Sequence, residues 1–192
     1  MKRHFITAFL YTAVTAVLLG IVYPLAITAI AHFAFPKKAS GELLKQNGVL
    51  VGSRLIGQPF TGPGYFHSRP SKAGTGYDAS ASSGSNLAPT SKALVQGVEQ
   101  SVSSEMASGP VPVDLVTASG SGLDPDISPA AAYYQAHRVA AARGLPEDAV
   151  RHLVDAHITP RTLGLLGEPR VNVLELNLAL NALSQTSKTQ AK

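Results

Sequence analysis

The chain has 192 residues, 45% of them hydrophobic, which allows one domain plus an anchor. Its formal charge of +4 comes from Lys2, Arg3, Lys37 and Lys38, which precede the first acid; the other 12 cations balance the 12 Asp and Glu. That distribution suits phospholipid headgroups and excludes a nucleic-acid groove, which needs a clustered basic face on the folded domain. The absence of cysteine excludes thiolate zinc sites, cysteine nucleophiles and disulfide staples.

Phe5 to Phe35 runs without a formal charge, and His32 is its only basic side chain. A membrane span needs about 20 apolar residues, so the run predicts an anchor over residues 1–36 with a transmembrane helix at about 7–31. Pro24 lacks an N–H and clashes with the preceding turn, which predicts a kink near Gly20–Pro24. The competing reading is a cleaved signal peptide, with Lys2-Arg3 as its basic start and Ala29-Ile-Ala31 as a cleavage site. Phe5–Val22 already exceeds the usual apolar stretch of about 7–15 residues in such peptides, which favours a retained anchor. A basic start followed at once by a long apolar run places the N-terminus in the cytoplasm and the domain outside, although Lys37 and Lys38 leave the charge rule nearly balanced.

A single soluble domain is expected over residues 37–184, with 185–192 as a flexible tail. Val49–Gln58 reads as a strand. Gly62–Asn86 is rich in Gly, Ser and Pro, and holds the aromatic and basic string Tyr65-Phe66-His67-Ser68-Arg69-Pro70. An ordered binding loop and a packed Ω-loop are both open for it. Leu94, Val98 and Val102 recur every four residues and predict an amphipathic helix from about Ser91. Val111–Thr117 reads as an edge strand because of Pro112. Ser128 then caps a helix with Pro129 in its first turn and Gly144 just past its end. Pro146 starts another, with Glu147 and Asp148 at its positive end, reaching about His157. Asn172 caps a last helix through Leu183. The fold class is one N-terminal transmembrane helix plus a small α/β (α+β) domain.

No catalytic centre of a known type is visible. Ser119-Gly-Ser121-Gly-Leu-Asp124-Pro-Asp126 is glycine-rich ahead of a helix, but no Lys follows at P-loop spacing and its two carboxylates would repel a phosphate. It reads as a tight turn, with a cation held by Asp124 and Asp126 as the alternative. His152, Asp155 and His157 do not share one helical face, so no metal site is expected. Neither G-x-S-x-G nor S-x-x-K occurs.

Several strings, taken in order, resemble the C subunit of the Kdp potassium-transporting P-type ATPase. They are Gly57-Gln-Pro-Phe60, Tyr65-Phe-His-Ser-Arg-Pro-Ser71, Ser83-Gly-Ser-Asn-Leu87, Pro112-Val-Asp-Leu-Val-Thr-Ala-Ser-Gly-Ser-Gly-Leu-Asp-Pro125, Arg138-Val-Ala140 and Val171-Asn-Val-Leu174. The resemblance covers nearly the whole chain. It departs at Asp126, where the family commonly has His, and at Ala136-His137, where an aliphatic residue often follows the Gln.

The resemblance implies a non-catalytic accessory subunit in the cytoplasmic membrane of a bacterium. It would be needed for assembly and activity, and would act as a catalytic chaperone that raises ATP affinity. Its implied partners are a channel-like potassium-binding subunit and a P-type ATP-hydrolysing subunit, besides membrane lipid. ATP and K+ would be handled by the complex, with no cofactor on this chain. Candidate partner-contact residues are Tyr65, Phe66, His67, Arg69 and Asn86. Gly20 and Pro24 are candidates for packing of the span, and Ser119, Ser121, Asp124, Gln135 and Arg138 for a turn or ligand segment. The alternatives are an anchored extracytoplasmic binding module unrelated to transport and an anchored hydrolase, for which no motif is present.

Overall fold

A computed structural model describes residues 1–105 and 109–190, with side chains up to Gln185. The chain divides into two compact units, Met1–Ser53 and Arg54–Lys192.

The first unit opens with one long helix, Lys2–Ala34, whose apolar residues lie exposed and which contains an 18-residue stretch of mean hydropathy 2.2. At 1.5 Å per residue it exceeds the roughly 30 Å of a bilayer core. It consists of α1 (Lys2–Val17), a π-turn at Leu18–Val22 and α2 (Tyr23–Ala34). The π-turn has a local cause. Pro24 brings no N–H to bond the Gly20 carbonyl, and its ring crowds that carbonyl. The helix widens by one residue, and the Tyr23 N–H reaches back to the Leu18 carbonyl. The distortion therefore falls where Gly20 and Pro24 predict it. A short α3 (Pro36–Ala39) follows, then a hairpin of β1 (Leu43–Gln46) and β2 (Val49–Ser53). Its turn, Asn47-Gly48, has positive φ at both residues (51° and 79°), the conformation that matches strand twist in two-residue hairpins.

The second unit is built on three helices: α5 (Pro129–Arg143), α6 (Glu147–His157) and α7 (Val173–Gln190). They pack around a small antiparallel sheet of β3 (Asp126–Ile127), β4 (Ile158–Thr159) and β5 (Arg170–Asn172), with β5 central. Ser128 Oγ accepts the Ala131 N–H at 3.1 Å, Pro129 fills the first helical position, and Gly144 closes α5 at φ 64°. Asn172 Oδ1 accepts the Glu175 N–H at 3.1 Å and so caps α7. The buried face of α5 is mostly alanine (Ala131, Ala132, Ala136, Ala140), so its neighbours approach closely. Leu115, Ile127, Val139, Val150, Val154, Val171, Val173, Leu176 and Leu180 share this core, together with Phe66 from the long loop. The α4 helix (Lys92–Glu105) has no fully buried residue; Leu94, Val98 and Val102 are half-buried on one face.

Three sequence expectations are corrected. Val111–Thr117 is not a strand: Val113–Leu115 forms one 3-10 turn. Consecutive Leu115 and Val116 are both buried, a pattern that an alternating strand cannot provide. The strand read over Val49–Gln58 ends at Ser53, because the Gly57 N–H bonds the Leu123 carbonyl at 2.8 Å instead of a hairpin partner. The last helix continues past Leu183 to Gln190, with Ser184 Oγ bonded to the Leu180 carbonyl. Of the expected tail, residues 191–192 lie outside the described residues.

Candidate functional site

The Tyr65–Ser71 loop has no strand of its own to satisfy its backbone, yet Phe66 is fully buried. Buried N–H and C=O groups need partners, and two amide side chains supply them. Asn177 Oδ1 accepts the Phe66 N–H and Asn177 Nδ2 donates to the Phe66 carbonyl, both at 2.9 Å. Gln135 Oε1 accepts the His67 N–H at 2.7 Å, and its Nε2 donates to the His67 carbonyl at 3.2 Å. Each carboxamide imitates the peptide group of a neighbouring strand. Both residues are 1% exposed.

Two arginines fix the approach to the loop. Arg138 donates to the Pro63 and Tyr65 carbonyls at 2.7 and 3.1 Å, and to Gln135 Oε1 at 2.7 Å. Arg143 donates to the Gly64 carbonyl at 2.6 Å and lies over the Tyr65 ring, 4.5 Å from its centroid.

The far half of the loop is tied to the glycine-rich turn. Arg69 reaches the Thr117 and Ala118 carbonyls, Thr117 Oγ1 and the Asp124 carboxylate, the last at 3.2 Å. Ser71 Oγ donates to the Gly122 carbonyl at 2.6 Å and accepts the Tyr77 N–H at 2.7 Å. Gly122 has φ 66°, and a Cβ there would lie 2.5 Å from the Ser83 carbonyl oxygen, so the turn requires glycine. Ser121 Oγ accepts the Leu123 N–H and lies 3.4 Å from Ser119 Oγ. Asn86, at φ 52°, donates to Ser83 Oγ. The structure thus joins Tyr65–Arg69 with Gln135 and Arg138 on one side, and with Asp124 and the serine turn on the other. Gly20 and Pro24 lie in the first unit. Asn177, Tyr77 and Arg143 were not anticipated. An Asn inside a Leu-rich helical run was the readable signal for the first of them.

The loop borders a cleft of about 330 Å³ with Phe60, His67, Tyr77, Ser101, Ser104 and Glu105 in its wall. His67 Nδ1 lies 3.5 Å from Glu105 Oε1. The hydrogen bond with His67 holds the Glu105 carboxyl below its ordinary range, and the Arg138 charge adds to this against the opposing effect of burial. The cleft serines do not face the imidazole. Ser101 and Ser104 donate to carbonyls of their own helix, and Ser68 donates to the Gln58 carbonyl. A hydroxyl without an adjacent base is a weak nucleophile, so this wall is suited to binding by hydrogen bonds.

Asp126, at the position of departure noted above, faces Arg170 at 3.0 Å and accepts from Asn172 Nδ2 at 3.1 Å. Burial pushes its carboxyl upward. Asp124 and Asp126 therefore have separate cationic partners, Arg69 and Arg170. His152 pairs loosely with Asp155, whereas His157 bonds the Leu153 carbonyl. Among the described residues no three His, Asp, Glu or Cys side chains are grouped to hold a metal ion.

Comparison with known proteins gives one consistent result. The family described as KdpC, K+-transporting ATPase c chain, matches residues 5–182. A potassium-transporting ATPase KdpC subunit of Acidobacterium capsulatum is 60% identical over 182 residues, covering 94% of this chain and 99% of the relative. A protein of the same description from Koribacter versatilis is 56% identical over 184 residues, covering 94% and 95%. Another from Gemmatimonas aurantiaca is 55% identical over 192 residues, covering 97% and 96%.

Proposed function

The chain belongs to the KdpC family of K+-transporting ATPase c chains, and from that membership we propose that it is an accessory subunit of an ATP-driven potassium uptake complex. The observation that carries this reading is the match over residues 5–182, which takes in both the apolar helix and the folded unit. The helix supports it physically. A long helix with its apolar side chains exposed is unstable in water and is accommodated by lipid and neighbouring helices. Gly20, with Ala13, Ala16 and Ala26, leaves room for close approach of a partner helix.

In this proposal the partners are a channel-like potassium-binding subunit and a P-type subunit that hydrolyses ATP. The present chain hydrolyses nothing itself. Its N-terminus is cytoplasmic and its folded unit lies outside, in the region of the potassium entrance. Such a domain cannot touch cytoplasmic ATP. A catalytic-chaperone role would therefore be an allosteric coupling carried through the span, typically about 1–3 kcal/mol, or roughly 5- to 150-fold in affinity.

Both parts are measurable. The chain has no cysteine, so Ser103→Cys on the exposed face of α4 gives one label site; a membrane-impermeant thiol reagent should modify it from outside the cell. Purified complex with and without this chain should differ at least about fivefold in the KM for ATP. An equal KM would remove the chaperone role, and labelling only after permeabilisation would reverse the topology.

A further inference from the structure

β4 and β5 pair as an antiparallel hairpin with Thr159 opposite Arg170. The connection between them, Pro160-Arg-Thr-Leu-Gly-Leu-Leu-Gly-Glu-Pro169, has a feature that the core does not use. Leu163 and Leu165 are 87% and 80% exposed, the highest values for large apolar side chains among the described residues of the second unit; Leu166 is 64% exposed.

The turn that carries them is built rather than loose. The Thr162 N–H bonds the Leu166 carbonyl at 2.9 Å, and the Leu165 and Leu166 N–H groups return to the Thr162 carbonyl at 3.2 and 3.0 Å. Arg161 and Glu168 close its base with an ion pair at 2.6 Å. Prolines at both ends restrict the backbone further. Leu163 itself sits at φ 55°, a left-handed conformation disfavoured for a bulky side chain and much easier for Gly or Asn. A leucine held there, in solvent, is a strained residue whose side chain is the feature presented, and such strain gathers at binding sites.

We propose that Thr162–Leu166 is a preformed apolar knob that seats in an apolar pocket on another subunit of the potassium-transporting complex. This rests on the subunit reading above. The charges select the occupant. Arg161 is neutralised by Glu168 and Arg170 by Asp126, so the rim offers anionic headgroups no net cation. The turn also lacks the aromatic and lysine residues that anchor loops at a bilayer surface. A rigid, neutral, purely aliphatic tip suits a shaped protein pocket, where a fixed backbone lowers the entropic cost of docking.

The test co-expresses the tagged full chain with the other subunits, purifies it in mild detergent and measures capture of the ATP-hydrolysing and channel-like subunits. Two variants are compared with wild type: Leu163→Ser with Leu165→Ser and Leu166→Ser, and Leu163→Asn alone. Asn suits the left-handed backbone, so it holds the turn while removing the apolar side chain. Both variants should unfold at or above the wild-type temperature, and capture should fall at least tenfold for the triple variant and measurably for Leu163→Asn. An environment-sensitive fluorophore on Thr162→Cys should shift to the blue only in the assembled complex. Wild-type capture by the triple variant overturns the knob alone, as does a blue shift of the isolated chain in lipid nanodiscs, which assigns the turn to the bilayer. Failure of the wild-type chain to capture either subunit overturns both the knob and the subunit reading.

Discussion

Asn177 and Gln135 each satisfy a donor and an acceptor on a buried stretch of loop. Asn177→Leu keeps the branched heavy-atom skeleton and strands the Phe66 N–H and C=O. An unsatisfied buried group costs about 1–3 kcal/mol, so the loss should be roughly 2–4 kcal/mol, or about 5–12 °C in the unfolding midpoint. Thermal unfolding of the purified full chain measures it, and an unchanged midpoint would show that the loop does not depend on this clamp. The Glu105–His67 contact gives a pH dependence of definite sign. The folded Glu105 carboxyl is held below its ordinary value of 4.5, so its stabilising contribution is complete above that value and is lost as pH falls through the lowered one. The protection of the α4 amides, taken relative to the intrinsic exchange rate at each pH, should fall on acidification below about pH 4.5, and Glu105→Gln should flatten that response. Protection that does not change with pH in the wild-type chain would contradict it.

Elements were legible where local chemistry fixes their ends. Ser128, Pro129 and Gly144 mark α5, Pro146 marks α6, and Asn172 marks α7; each boundary is set by a cap or a proline rather than by packing. Pro24 four residues after Gly20 likewise marked the π-turn. Short strands were not legible. β3, β4 and β5 hold only two or three residues each, and pairing with β5, a long-range event, defines them. The Asn47-Gly48 turn was a readable hairpin signal that the strand reading of Val49–Gln58 did not use. Val111–Thr117 has β-branched residues, but the contacts of Leu115 and Val116 override that preference. In the candidate site, the loop string stood out by its aromatic and basic residues. Its clamps, more than 60 residues away in sequence, appear only in the folded chain. The span carries its own prediction. Gly20→Leu places a bulky side chain at the π-turn, where an added Cβ would meet nothing within 4 Å. The isolated chain should still enter the membrane, while the yield of assembled complex should fall several-fold in a detergent pull-down. Normal yield would remove Gly20 from the helix interface.

At the scale of the molecule, one unit offers an exposed apolar helix and the other a rigid core with a stiff loop and a stiff leucine turn. That division of labour fits a subunit that binds and positions others. Tyr65–Ser71 and Gly122, which lie in two of the strings that resemble the family, are constrained by one another through the hydrogen bonds of Ser71 Oγ. The most direct measurement is to purify the tagged chain from its native membrane in mild detergent, under potassium limitation, and to identify and assay what accompanies it. The subunit reading predicts a polytopic channel-like subunit and a P-type ATPase subunit at fixed ratio, with ATP hydrolysis stimulated by potassium in the same sample. A chain that emerges alone, while both of those proteins are present in the membrane, would contradict it.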